Sequence, residues 1–119
     1  MDWLKNRFRY AGRGFKDGVF KDRSIRLQLV FGAIVIICGL ALGLSASQWL
    51  WILLAIALVV AGEIFNSCIE KTVDYISLKR DPRAALIKDM AAAGVSVLCL
   101  FATVVGIIIF LSRLTEVLS

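Results

Sequence analysis

Three apolar stretches constrain this chain more than anything else in it. Leu29 to Ala46 and Met90 to Ser112 contain no charged residue, and Trp49 to Ile69 contains only Glu63. A hydrocarbon core of about 30 Å is crossed by ~20 predominantly apolar residues in a helix, so all three stretches qualify as membrane spans. With 60% hydrophobic residues among 119 and a mean hydropathy of +0.84, the chain is too apolar for an ordinary soluble fold. The expected fold is an all-α membrane protein, one domain over residues 1–119, with spans at about 27–46, 49–70 and 90–112. The first apolar run begins beyond residue 26, farther in than the apolar region of a secretory signal, so no cleavage is expected.

Charge position then orients the spans. Eight of the 14 Lys and Arg residues precede the first span and five more, Lys71, Lys79, Arg80, Arg83 and Lys88, lie between the second and third. The connector at Ser47 and Gln48 has none, and the C-terminal tail has only Arg113. Cytoplasmic loops carry the excess of basic residues, so the N-terminus and the 71–88 loop are expected inside and the C-terminus outside.

Before the first span, Leu4, Phe8, Ala11, Phe15 and Val19 align along one side of a helix over about 1–22, with Arg9, Arg13 and Lys16 opposite. Such a helix can lie in the interface, apolar side in lipid and basic side toward anionic headgroups. Gly12, Gly14 and Gly18 do not form a nucleotide loop: the spacing is neither G-x-G-x-x-G nor Walker A, and no strand precedes them. Flexible turns or close helix packing account for them better. The short connector around Ser45 to Gln48 makes spans one and two an antiparallel hairpin, anchored by Trp49 and Trp51. Asp81-Pro82 reads as an N-cap followed by proline at the first helical position, starting a helix that runs through Ala91 to Arg113. Cys38, Cys68 and Cys99 fall one in each apolar segment, without zinc-site spacing and without a histidine in the chain, and are expected as buried packing residues.

The chemistry concentrates at one end of the second span. Glu63 lies fourteen residues beyond Trp49, about 21 Å at helical rise, on the cytoplasmic side of the hydrocarbon. An ionisable group there costs at least ~2.5 kcal/mol, which makes it a functional candidate. Asn66, Glu70 and Asp74 follow at i+3, i+7 and i+11, and at 100° per residue the four fall within about 80° of one another. Three acids on one helix side need cations or protons as their complement. All the donors are oxygens, which suits magnesium shared with substrate phosphates better than zinc. Lys88-Asp89 lies near the start of the next helix at the same depth, and Asp22 sits just before the first span.

The segment Glu63 to Asp74, read as E-x-x-N-x-x-x-E-x-x-x-D and followed by Lys88-Asp89-Met90-Ala91-Ala92, resembles the bacterial integral-membrane diacylglycerol kinases, a family that includes undecaprenol kinases. Arg9-Tyr10-Ala11, Gly14 and the run Lys21 to Arg26 are similar to the family's N-terminal region, so the likeness covers nearly the whole chain. It implies transfer of the ATP γ-phosphate to a membrane-lipid hydroxyl in the bacterial inner membrane, by a homotrimer with shared active sites. Residue by residue, it implies Glu63 as the catalytic carboxylate, Asn66 as an orienting group, and Glu70 and Asp22 as Mg²⁺ and nucleotide ligands. The family usually has glutamate where this chain has Asp22, one methylene shorter. Tyr10, Lys79, Arg80, Asp81, Lys88 and Asp89 match nucleotide-contacting positions, with Lys88 the phosphate partner. The implied partners are a lipid, ATP and further copies of the chain, with no nucleic acid.

Two other classes use a membrane carboxylate. An ion or proton pathway through Glu63 should continue across the bilayer, yet the outer halves of the spans lack charged residues. A noncatalytic oligomeric subunit held by small-residue contacts leaves the ordered acidic stripe unexplained.

Overall fold

The computed structural model describes residues 2–77 and 79–119, and every regular element among them is helical. Helix α1 spans Asp2–Asp17, a 3-10 turn covers Val19–Lys21, and α2 (Arg23–Leu42), α3 (Ala46–Ile76) and α4 (Pro82–Leu118) follow. These last three are long and apolar enough to cross a membrane. Helices satisfy their backbone polar groups internally, the condition that hydrocarbon imposes on a spanning segment.

The N-terminal helix stops earlier than the apolar spacing suggests. Gly18 closes it by donating to the Gly14 carbonyl at 2.9 Å, and a Cβ on Gly18 would stand 2.9 Å from that same oxygen. Asp22 then takes an extended backbone and caps α2, so residues 18–22 form a junction rather than a last helical turn.

The first span also ends sooner than expected, at Leu42 rather than residue 46. Gly43 adopts φ +68, a left-handed conformation natural to glycine, and its amide and that of Leu44 both donate to the Gly39 carbonyl at 3.0 and 3.3 Å. The sequence stays apolar through this turn, which is why hydropathy did not locate it. Ser45 and Gln48 then form a capping box: Ser45 Oγ accepts from the Gln48 amide at 3.3 Å, and Gln48 Oε1 accepts from the Ser45 amide at 2.9 Å. The hairpin of α2 and α3 is therefore set by local chemistry at its turn.

At 31 residues, α3 is about 46 Å long and exceeds the hydrocarbon core by several turns. Its surplus carries the acidic residues toward the aqueous side. Asp81 caps α4 as expected, accepting from the Arg83 amide at 2.8 Å with Pro82 in the first turn.

Packing is concentrated between α3 and α4, around Leu44, Ile52, Ala55, Val105 and Ile109. Phe31, Leu40 and Val97 each remain about two-thirds exposed on the single chain. Residues this apolar face lipid or another copy of the chain. Cys38 and Cys68 belong to that outer surface, a correction to their expected burial, while Cys99 is half-buried; all three are free thiols.

Among the described residues, one polar tie joins each pair of spanning helices. Arg113 Nε donates to the Leu42 carbonyl at 2.9 Å, holding α4 to the end of α2 and satisfying a carbonyl the helix itself leaves open. Lys88 Nζ donates to Asp74 Oδ1 at 2.8 Å, joining α4 to α3. Ser67 Oγ donates to Asp22 Oδ2, joining α3 to the cap of α2. The first lies at one end of the bundle and the other two at the opposite end, beside the acidic stripe.

Candidate active site

Helical periodicity puts Glu63, Asn66 and Glu70 on one side of α3, and all three are half-buried. Asp22 joins them from the junction before α2. Asp22 and Glu70 lie close enough to Glu63 for their charges to act on it, so three carboxylates interact where α3 leaves its apolar stretch. On the other flank α4 passes Glu63 at Cys99, close enough for the two to interact electrostatically.

Each group is positioned by its local bonding. Asp22 Oδ1 accepts from the amides of Ser24 at 3.0 Å and Ile25 at 3.3 Å, which satisfies two open donors at the start of α2. Its other oxygen accepts from Ser67. That hydroxyl above all, with the two amides and the nearby charge of Lys71, holds the Asp22 carboxyl below its ordinary 3.8 against partial desolvation. Asn66 Nδ2 donates to Glu70 Oε1 at 3.3 Å, one helical turn on. Asn66 Oδ1 is buried and has no hydrogen-bond partner among the described residues. An unsatisfied buried acceptor costs about 1–3 kcal/mol, so this oxygen is poised for a donor or a hard cation.

Lys88 brings the positive charge. Its contact with Asp74 places the ammonium beside the lower end of the stripe, where it also feels Glu70. The side chain keeps 37% exposure, enough to leave donors free for an incoming anion.

Other sequence-derived candidates are held less closely. Asp81 is engaged as the cap of α4 and also accepts from Arg83 Nη2 at 3.1 Å, contacts that draw its carboxyl below 3.8. Tyr10 is exposed on α1, with the guanidiniums of Arg9 and Arg13 at 5.6 and 5.9 Å from its ring centre. Lys79, Arg80 and Asp89 are exposed, and Lys79 contributes only its carbonyl, which accepts from Ser77 Oγ at 3.0 Å. Among the described residues, no hydrogen bond or ion pair ties the side chains of Tyr10, Lys79, Arg80 or Asp89 to the carboxylates. One chain therefore assembles Asp22, Glu63, Asn66, Glu70, Asp74 and Lys88, and leaves the rest to be brought in otherwise.

Ser67 is the site residue the sequence reading missed. It lies at i+4 from Glu63, beside the stripe, and that position was the available signal.

The donor set also limits what cation it suits. Among the described residues, no three His, Cys, Asp or Glu side chains stand close enough to hold a metal by themselves. A carboxylate offers about four lone-pair positions, of which Asp22 has committed three to its donors. Glu70, the remaining position on Asp22 and the free Asn66 oxygen offer oxygen donors only, fewer than a complete shell needs. That set fits a hard divalent ion that brings phosphate and water ligands with it, and does not fit zinc.

The pattern of the prokaryotic diacylglycerol kinase family matches residues 9–110, a range that contains every group of the carboxylate cluster. An undecaprenol kinase of Bacillus subtilis is 36% identical over 107 residues, which cover 90% of this chain and 87% of that protein. A diacylglycerol kinase of Haemophilus influenzae is 29% identical over 108 residues, covering 90% and 92%. A second diacylglycerol kinase, of Helicobacter pylori, is 28% identical over 96 residues, covering 81% and 75%.

Proposed function

The chain belongs to the prokaryotic diacylglycerol kinase family and is a membrane lipid kinase, and we propose that it transfers the γ-phosphate of MgATP to the hydroxyl of diacylglycerol or undecaprenol. The observation that carries this reading is the convergence of Glu63, Glu70 and Asp22, beside Asn66 and near Lys88, where α3 passes from apolar to polar surroundings. A lipid alcohol presents its hydroxyl at that depth, and a nucleotide reaches the same level from water.

Phosphoryl transfer asks mainly for positioning and neutralisation of charge. Glu63 sits deepest in the stripe and accepts the proton of the attacking hydroxyl. Asn66, anchored to Glu70 through its amide, turns its free carbonyl oxygen toward the reacting groups. Glu70 and Asp22 hold the Mg²⁺ that accompanies ATP, which when bound neutralises the phosphate oxygens. Lys88 releases part of its hold on Asp74 to contact phosphate, and Asp74 keeps that ammonium aimed along the stripe in the meantime. Tyr10, Lys79, Arg80, Asp81 and Asp89 contact the nucleotide.

The assembly we propose is a homotrimer with active sites shared between subunits, in the bacterial inner membrane. The exposed apolar surface of α2 and α4 supports a partner, and the unengaged Tyr10 and Asp89 support sites completed from outside the single chain. The basic N-terminal segment and the 71–88 loop face the cytoplasm, α1 lies on the inner membrane surface, and the C-terminus is outside. Between the two lipids, 36% identity to an undecaprenol kinase against 29% and 28% to diacylglycerol kinases favours undecaprenol.

Competition in matched detergent micelles tests the lipid part of this reading. Long-chain lipid alcohols are expected to be phosphorylated at least about 10²-fold more efficiently than short water-soluble alcohols, because only the former place a hydroxyl at the depth of Glu63. A preference for the soluble alcohols would sink it.

A further inference from the structure

Building on the kinase reading, we propose that Ser67 is a positioning residue for phosphoryl transfer: its hydroxyl, donated to Asp22 Oδ2, fixes that carboxylate at the cation end of the site by tying the start of α2 to α3.

Several observations converge on this role. Asp22 lies in a five-residue junction between α1 and α2, flanked by Val19 and Ile25, which are buried to 8% and 2% exposure. Burial of those two apolar residues holds the junction in place but does not set the direction of the carboxylate between them. The amides of Ser24 and Ile25 pin one oxygen. The second oxygen, the one with a lone pair to spare for a cation, is oriented by Ser67 alone among the described residues. Ser67 is also the only side chain of α3 that hydrogen-bonds the segment before α2, among the described residues.

The position of Ser67 on α3 makes this tie relevant to chemistry. It is one helical turn from Glu63 and three residues before Glu70, next in sequence to Asn66, so it shares a rigid scaffold with the three groups that address lipid and phosphate. Fixing Asp22 to Ser67 therefore fixes it relative to all of them. Without the hydroxyl, α2 keeps its cap through Oδ1, and what is lost is the aim of the other oxygen. Partners that orient a ligating group typically contribute about 10–100-fold in metal affinity.

The test compares full-length Ser67→Ala and Ser67→Thr with the wild type in the same micelles. Two quantities are read: steady-state constants for MgATP at saturating lipid, and calorimetric binding of a non-hydrolysable ATP analogue with Mg²⁺. Ser67→Ala is expected to weaken analogue binding and raise KM for MgATP about tenfold, with kcat within about twofold of wild type. Ser67→Thr, which keeps the hydroxyl, is expected to restore both. If Ser67→Ala does not purify at the wild-type oligomeric size, Ser67→Cys, a weaker donor of similar volume, replaces it and is expected to fall between Ala and Ser. Unchanged binding and KM in the hydroxyl-free variant, or a threonine variant as weak as alanine, would overturn the proposal while leaving the kinase reading intact. A wild type that neither binds the analogue nor labels lipid would overturn the kinase reading and this proposal with it.

Discussion

Glu63→Gln is expected to lower lipid phosphorylation by about 10²–10⁴-fold, the usual contribution of a positioned general base, while the protein keeps its oligomeric size and its affinity for MgATP. Glutamine preserves the shape and hydrogen-bonding reach of the side chain and removes its capacity to accept a proton. The surroundings argue that the fold will tolerate it: Glu63 is half-buried, makes no salt bridge among the described residues, and faces two other carboxylates. Removing one of three like charges relieves repulsion, so melting in detergent should be unchanged or slightly raised. Steady-state kinetics combined with a nucleotide-binding isotherm checks this. Activity lost together with assembly would instead assign Glu63 a structural role.

Glu70→Gln is expected to fail differently. Here the defect should appear in the cation and nucleotide: about 10²-fold lower kcat/KM for MgATP, with the Mg²⁺ concentration for half-maximal rate shifted upward. The substitution is a clean one, because the amide oxygen of glutamine still accepts from Asn66 Nδ2 and the local bond at 3.3 Å need not be lost. What disappears is the negative charge that the divalent ion requires. Titrating Mg²⁺ at fixed ATP separates the two variants, since added metal should recover part of the Glu70→Gln loss and none of the Glu63→Gln loss. Recovery of Glu63→Gln by metal would reverse the roles assigned to the two acids.

The contrast between what could and could not be read from sequence follows the range of the interactions concerned. The spans were readable because hydropathy is summed over neighbouring residues, and the acidic stripe was readable because a 100° period relates Glu63, Asn66, Glu70 and Asp74 within one helix. The cap at Asp81-Pro82 was local as well, and stands as expected. Boundaries were misplaced where a backbone event occurs inside an unbroken composition: Gly43 turns left-handed amid apolar residues, and Gly18 closes α1 amid an amphipathic pattern.

Contacts between residues far apart in the chain were out of reach. Ser67 and Asp22 are 45 residues apart, and Arg113 and Leu42 are 71 apart. Asp74 and Lys88 were each singled out at the same membrane level, but nothing local specified that they pair. Tyr10, Lys79 and Arg80 came from likeness to the family alone and Asp89 from its depth as well, and among the described residues a single chain leaves their side chains without a bond to the cluster. The nucleotide contacts proposed for them would be made with the ligand bound and with neighbouring copies of the chain in place.

Label transfer tests most directly whether this carboxylate cluster directs a phosphoryl group from ATP to a membrane lipid. Purified protein in mixed micelles is supplied with Mg²⁺ and ATP labelled at the γ-phosphate, with diacylglycerol and undecaprenol offered separately. Label is expected to pass to a lipid, with undecaprenol the better acceptor, and transfer is expected to be abolished when Mg²⁺ is chelated. Protein of correct oligomeric size that labels neither lipid would contradict the kinase reading.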